Sequence, residues 1–301
     1  MGNIRIILYF FFLPRILFLA HDGAIFLEAE NVKKEAGQIV LTGNVIAKDD
    51  EFVLTSKKLL ISDDESVYIA EDNVKINLNN RDVTVACAKC VYNAKERTIS
   101  FFDVEIVFNN TAVLTTQYCV YDIDASCLMY NTYGIIKNNG NIILSKNGMI
   151  YVNSEEIFLS EEVICENEYL CLQCKYFIFG NKDKKAIFKD GITIKFKEKQ
   201  DLTAIVKKQV VYDVESETFT TDNLVLQNKT MNGYFTGATF HYKQSEINLY
   251  NGIIRGNDNY LTCKDIIYDI KKQEIVLKEN PYAFLQNGII FTSTDLHIKN
   301  F

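Results

Sequence analysis

Tryptophan is absent from this chain of 301 residues, and proline occurs only twice, at Pro14 and Pro281. Histidine is nearly as scarce, limited to His21, His241 and His297. There is no glycine-rich phosphate loop and no Gly-x-Ser-x-Gly elbow, so nucleotide-driven and serine-nucleophile chemistry lack their usual carriers. No long stretch spaces its apolar residues at i, i+3, i+4 and i+7, which argues against amphipathic helices as the building block. A basic stripe is missing as well. The net charge is −7 and the lysines are interspersed with acids, so nucleic acid is not an expected partner.

What the chain does contain is β-forming apolar residues. Hydrophobic residues make up 48% of it, and Val, Ile, Tyr, Phe and Thr dominate. β-branched and aromatic side chains suit a pleated, half-buried surface. The expected fold class is all-β.

The first residues differ from the rest. Arg5 is followed by an apolar run from Ile6 to Leu13, then Pro14-Arg15, then a second run from Ile16 to Ala20. A charged start with a short apolar stretch is the pattern of a secretory signal. Residues 1–24 are therefore expected to be a signal peptide or an amino-terminal membrane anchor, with residues 4–20 as the anchoring segment. As an anchor the segment is short, because a helical span needs about twenty apolar residues. The expected location is the periplasm, soluble after cleavage or held at the inner membrane.

A repeat organises the remainder. Phe52-Val53-Leu54-Thr55-Ser56-Lys57-Lys58-Leu59-Leu60-Ile61 sets its shape, and copies recur about every thirty residues. The leading position holds Leu54, Val85, Leu114, Leu144, Leu172, Ile205, Phe235, Leu261 and Phe291. The closing position holds Ile61, Tyr92, Tyr121, Tyr151, Phe179, Tyr212, Tyr242, Tyr268 and Ile298. A second anchor keeps the same period, at Asn44-Val45, Asn73-Val74, Asp103-Val104, Gly134-Ile135, Gly191-Ile192 and Gly252-Ile253. Turn signals such as Asp63-Asp64, Asn109-Asn110 and Asn181-Lys182-Asp183 separate the strands. Each unit is thus about two strands, giving roughly eighteen to twenty in all. No linker interrupts them, so residues 25–301 are expected to form a single β-repeat domain.

Stacked repeats align equivalent positions into continuous apolar ladders. Those ladders are either a dry core or an open greasy groove. The groove candidates are Leu54, Ile61, Val85, Tyr92, Leu114, Tyr121, Leu144, Tyr151, Leu172, Phe179, Ile205, Tyr212, Phe235 and Tyr242.

Several segments carry a family likeness. Leu27-Glu28-Ala29-Glu30-Asn31-Val32, Ile39-Val40-Leu41-Thr42-Gly43-Asn44-Val45, Val53 to Leu59, and Ala70-Glu71-Asp72-Asn73-Val74 resemble the OstA-like family. That family includes LptA, LptC and the periplasmic domain of LptD, which export lipopolysaccharide. The resemblance implies an elongated β-jellyroll, or β-taco, whose apolar interior shields acyl chains. It also implies partners: lipopolysaccharide or another acylated lipid, and other β-jellyroll transport proteins. These would join by edge-strand addition at about residues 26–33 and 289–299.

Other motifs carry less. Cys87-x-x-Cys90 and Cys171-x-x-Cys174 have metal-ligand spacing. Yet Cys87 and Cys174 fill one repeat position three units apart, about 14 Å at one strand spacing per unit. Thiolates sharing a zinc bind it at about 2.3 Å. Small core residues are the preferred reading of the cysteines, with disulfides as the alternative and no metal or cofactor expected. His241 and His297 share a ladder position and not a catalytic geometry. The expected function is a lipid-transport bridge component and not an enzyme. The alternatives are a β-helix enzyme acting on polysaccharide and a structural surface repeat protein with a filled core.

Overall fold

The computed structural model describes residues 7–9, 16–19, 25–35, 37–78, 82–199, 201–256, 259–279, 281–284, 290–292 and 295–299. Among them, twenty-eight strands run in chain order, and the one helical element is the single 3-10 turn Tyr242–Gln244. The registers pair strand with strand antiparallel throughout. A β-helix stacks its strands in parallel, so the β-helix alternative falls.

The strand count exceeds the eighteen to twenty expected, and the reason is local. Some passes run unbroken for eleven residues, as in Phe52–Ser62, Val83–Asn93 and Ala112–Asp122. Others break midway into two short strands, as in Lys185–Lys189 with Ile192–Phe196, or Thr203–Val206 with Gln209–Asp213. The break is a bend, and it occurs in the unbroken passes too.

The second sequence anchor marks that bend. Asn44, Asp72, Asn73, Asp103, Glu161, Glu162, Asp190, Asn223 and Asn251 all have left-handed backbone, with φ between 42° and 65°. Gly43 and Gly191 join them. Asn, Asp and Gly adopt this conformation most readily. Register slips by one residue beside several of them, between Thr42 and Val45, Glu71 and Val74, and Ser160 and Val163. Inserting a residue into one strand bends it sharply. What the sequence presents as turns before an apolar residue are therefore corners in mid-strand.

The described residues group into two compact units, residues 1–139 with 146–155 and residues 140–145 with 156–301. In each, the corner folds one antiparallel sheet into two facing layers. In the first unit, Phe52 starts its strand and pairs with Leu78, whereas Tyr92 sits at the other end of the strands beside Tyr68 and Ile99. Nine residues of flat strand would separate those ends by about 30 Å. Their rings instead meet at 5.5 Å. In the second unit, Phe196 at the Leu170 end stacks on Phe240 at the Phe219 end, with 5.7 Å between ring centroids.

Candidate lipid-binding interior

The corners dictate which side chains face inward. Along Phe52–Ser62 the buried positions are Phe52, Leu54, Ser56, Leu59 and Ile61. Alternation holds on each side of Ser56 and changes phase across it, because the corner consumes one extra residue. Both halves of the strand thereby turn their apolar face to the same enclosed space.

In the first unit the expected ladders are present from Leu54 and Ile61 as far as Leu114 and Tyr121. Leu54, Ile76, Val85, Ile106, Leu114 and Ile136 form one unbroken rung across neighbouring strands. Ile61, Tyr68, Tyr92, Ile99, Tyr121 and Leu128 form the other. Leu54, Ile61, Val85, Leu114 and Tyr121 are 0–3% exposed, so the facing layer covers them. The return-strand members Ile76, Ile106 and Ile136 are not among the expected groove residues, although Ile76 and Ile106 stand two residues after the anchor residues Val74 and Val104 and Ile136 directly follows Ile135.

In the second unit the frame drifts. Leu172, Ile194, Ala204, Leu226 and Gly233 make the leading rung. Phe179, Ala186, Tyr212, Phe219 and Phe240 make the closing one. Leu172, Phe179 and Tyr212 thus lie where expected, with Phe179 and Tyr212 half-buried. Ile205 does not: its neighbours Ala204 and Val206 are buried and Ile205 lies on the outer face. Leu144 is likewise outward, since it pairs with Ile164 while Ile143 pairs with inward Cys165. Tyr151, of the first unit, is outward beside buried Ile150. The breaks in these passes shift the inward parity by one residue, which the repeat spacing cannot register. Phe235 is buried but one rung nearer the corner, beside Gly233 and Gly252, whose missing side chains leave room for its ring. The side chain of Tyr242 lies outside the described residues.

The inner corner has its own chemistry. Ser56 Oγ donates to the Lys58 carbonyl at 3.0 Å, and Thr116 Oγ1 to the Tyr118 carbonyl at 3.5 Å. The thiols of Cys174 and Cys263 donate in the same way to Tyr176 and Asp265, at 3.2 and 3.0 Å. Cys87 also shares a hydrogen bond with the Lys89 backbone. A bend takes carbonyls out of the ladder, and a buried carbonyl without a donor is costly. Cysteine therefore alternates with Ser and Thr because the corner needs a small side chain with a donor. All eight cysteines are free thiols. Burial pushes the thiols of Cys87, Cys119 and Cys174 up to about 12. Among the described residues no group of three or more His, Cys, Asp or Glu is placed to hold a metal ion.

Opposite the corner, the strand ends carry a rim of turns. Asn93, Asp122, Asp213 and Asp269, each directly after a closing tyrosine, accept hydrogen bonds from backbone N–H groups two or three residues on. Successive turns are tied by backbone bonds, such as Ala94 N–H to Ser66 O at 2.9 Å and Ile123 N–H to Arg97 O at 3.1 Å. Ion pairs run alongside, with Lys95–Asp64 at 2.9 Å, Arg97–Asp124 at 2.7 Å and Lys184–Glu215 at 3.0 Å. The Lys95 and Ser66 partners hold the Asp64 carboxyl well below the usual carboxylate range. Where the two layers meet, contacts come from side chains: Phe52 on Tyr92, Asn109 Nδ2 donating to Glu155 at 3.2 Å, Phe196 on Phe240, and Lys271–Glu198 at 3.3 Å.

A sequence model of the family described as OstA-like protein matches residues 17–175, more than half of the chain. The chain belongs to the OstA-like family. No curated protein matches it. OstA-like proteins form a lipopolysaccharide-transport family and not a catalytic one. The matched segment spans the corners from Asn44 to Glu162. Beyond the matched residues, the second unit carries ladders of its own through Ala204, Phe219 and Phe240.

Proposed function

We propose that this OstA-like chain shields the acyl chains of lipopolysaccharide, or of another acylated lipid, between the two layers of its bent sheet. It acts as a passive bridge component in the periplasm between inner and outer membranes, released by cleavage near residues 20–24 or held by residues 4–20. The supporting observation is that, within each unit, two apolar ladders face each other between layers that side chains join at the strand ends. Acyl chains moved there from water gain about 0.8 kcal/mol per shielded CH₂. Separating the layers at the strand ends breaks side-chain contacts and leaves the strand ladders intact. Such a carrier has no reaction to catalyse, and direction would come from a partner pump.

A second reading is favoured by the near-complete burial of Leu54, Val85 and Leu114. It is a structural repeat protein whose core is filled. Photocrosslinking and native mass spectrometry of the purified protein with lipopolysaccharide decide between them. Adducts within the ladders, at Ile76 or Ile106 for example, support the carrier. No bound amphiphile, where an established carrier loads, establishes the filled core.

A further inference from the structure

The amino-terminal edge of the sheet has two halves with opposite chemistry. The first pass bends at Glu30, leaving Phe26–Ala29 on one side and Asn31–Glu35 on the other. Asn31–Glu35 carries Lys33, Lys34 and Glu35, and all but half-buried Val32 are exposed. Charged side chains on an edge discourage pairing with another chain. Phe26–Ala29 has a single charge, Glu28, and its Leu27 and Ala29 are 7% and 1% exposed. Nothing in that half protects itself.

It is covered instead. Phe26–Ala29 pairs on one side with Lys48, Ala47 and Ile46. On the other side it pairs with the amino-terminal strand Ile16–Leu19, in the register Ile16 to Ala29, Leu17 to Glu28 and Phe18 to Leu27. Ile7–Tyr9 adds outside that, with Tyr9 opposite Leu17. The family match begins at residue 17, inside the covering strand. Of the expected edge, residues 26–29 are therefore covered, and among the described residues Asn31–Glu35 is paired on one side, with residues 38–42.

We infer that the amino-terminal apolar segment is an edge guard: the strand Ile16–Leu19 occupies the place where another chain would add to Phe26–Ala29. While it is paired, the sheet can offer its last strands, Ile290–Thr292 and Asp295–Lys299, but cannot accept those of a second copy. Proteolytic removal of the segment, or its transfer into a bilayer, frees the acceptor edge. The partner that fits is the terminal strand of a second copy of this chain. The inference rests on the edge-strand addition that the family resemblance implies and not on lipid binding.

The test uses the full chain in lipid-free buffer. Leu17→Pro and Phe18→Pro each remove a ladder donor from the guard and clash with its pairing. Sedimentation velocity and hydrogen exchange are read together over a hundredfold concentration range. The parent chain is expected to remain monomeric, with slow exchange at Phe26–Ala29. The proline variants are expected to expose those amides at low concentration and to dimerise as concentration rises, protecting them again. Adding Glu28→Pro should abolish that dimer. Three results would overturn the guard: proline variants that stay monomeric, a dimer that survives Glu28→Pro, or a parent chain that associates through Phe26–Ala29. None of these depends on acyl chains, so failed lipid binding leaves this test standing.

Discussion

The rings of Phe52 and Tyr92 meet edge-on at 5.5 Å although they belong to opposite ends of the strand ladder. This contact reports that the sheet is folded shut. Aromatic pairs contribute about 0.5–1.5 kcal/mol beyond their burial. A double-mutant cycle of Phe52→Ala and Tyr92→Ala, read by urea unfolding, should therefore give a coupling of about 1 kcal/mol. A coupling near zero would mean that the layers stand apart in solution.

Left-handed backbone at the corners predicts an inverted substitution series. Asn73, with φ of 56°, should accept glycine with little loss. Asn73→Val should cost about 1–2 kcal/mol, since a β-branched residue is strained there. Equal stabilities for the two variants would remove the corner from the explanation of the repeat.

The corner donors make a third prediction. Cys174→Ser keeps a small donor for the Tyr176 carbonyl and should change stability by less than about 1 kcal/mol. Cys174→Val removes that donor from the buried corner and should cost about 1–3 kcal/mol. If valine were the better replacement, Cys174 would be a plain apolar core residue.

Buried thiols should make the fold sensitive to alkali. An unfolded cysteine ionises near its ordinary value of 9, whereas folded Cys119 and Cys174 hold their protons up to about 12. The unfolded state thus gains from rising pH first. Stability is fully present below pH 9 and declines between 9 and about 12, by about 1.4 kcal/mol per pH unit for each such thiol. Urea midpoints measured across that window in parent and Cys119→Ser, Cys174→Ser protein check it. The doubly substituted protein should show the shallower decline.

Face assignment is testable at one pair of neighbours. Ile150 faces the interior at 5% exposure and Tyr151 does not. Ile150→Ala should cost about 2–4 kcal/mol, and Tyr151→Ala about 1 kcal/mol. The reverse order would restore Tyr151 to the ladder.

Periodicity by itself determined much of this protein. Leu54, Val85 and Leu114, with Ile61, Tyr92 and Tyr121, were legible as ladder members because unbroken passes keep a constant spacing from leading to closing residue. The anchors at Asn44, Asn73 and Asp103 were legible too, since few residue types tolerate their backbone. Only the tertiary structure decided that these anchors are corners and not turns, because a left-handed residue serves both and the partner strand's register tells them apart. It also decided the faces of Leu144, Tyr151 and Ile205. One residue gained or lost at a corner leaves the thirty-residue spacing nearly unchanged, yet it turns every following side chain to the other side of the sheet.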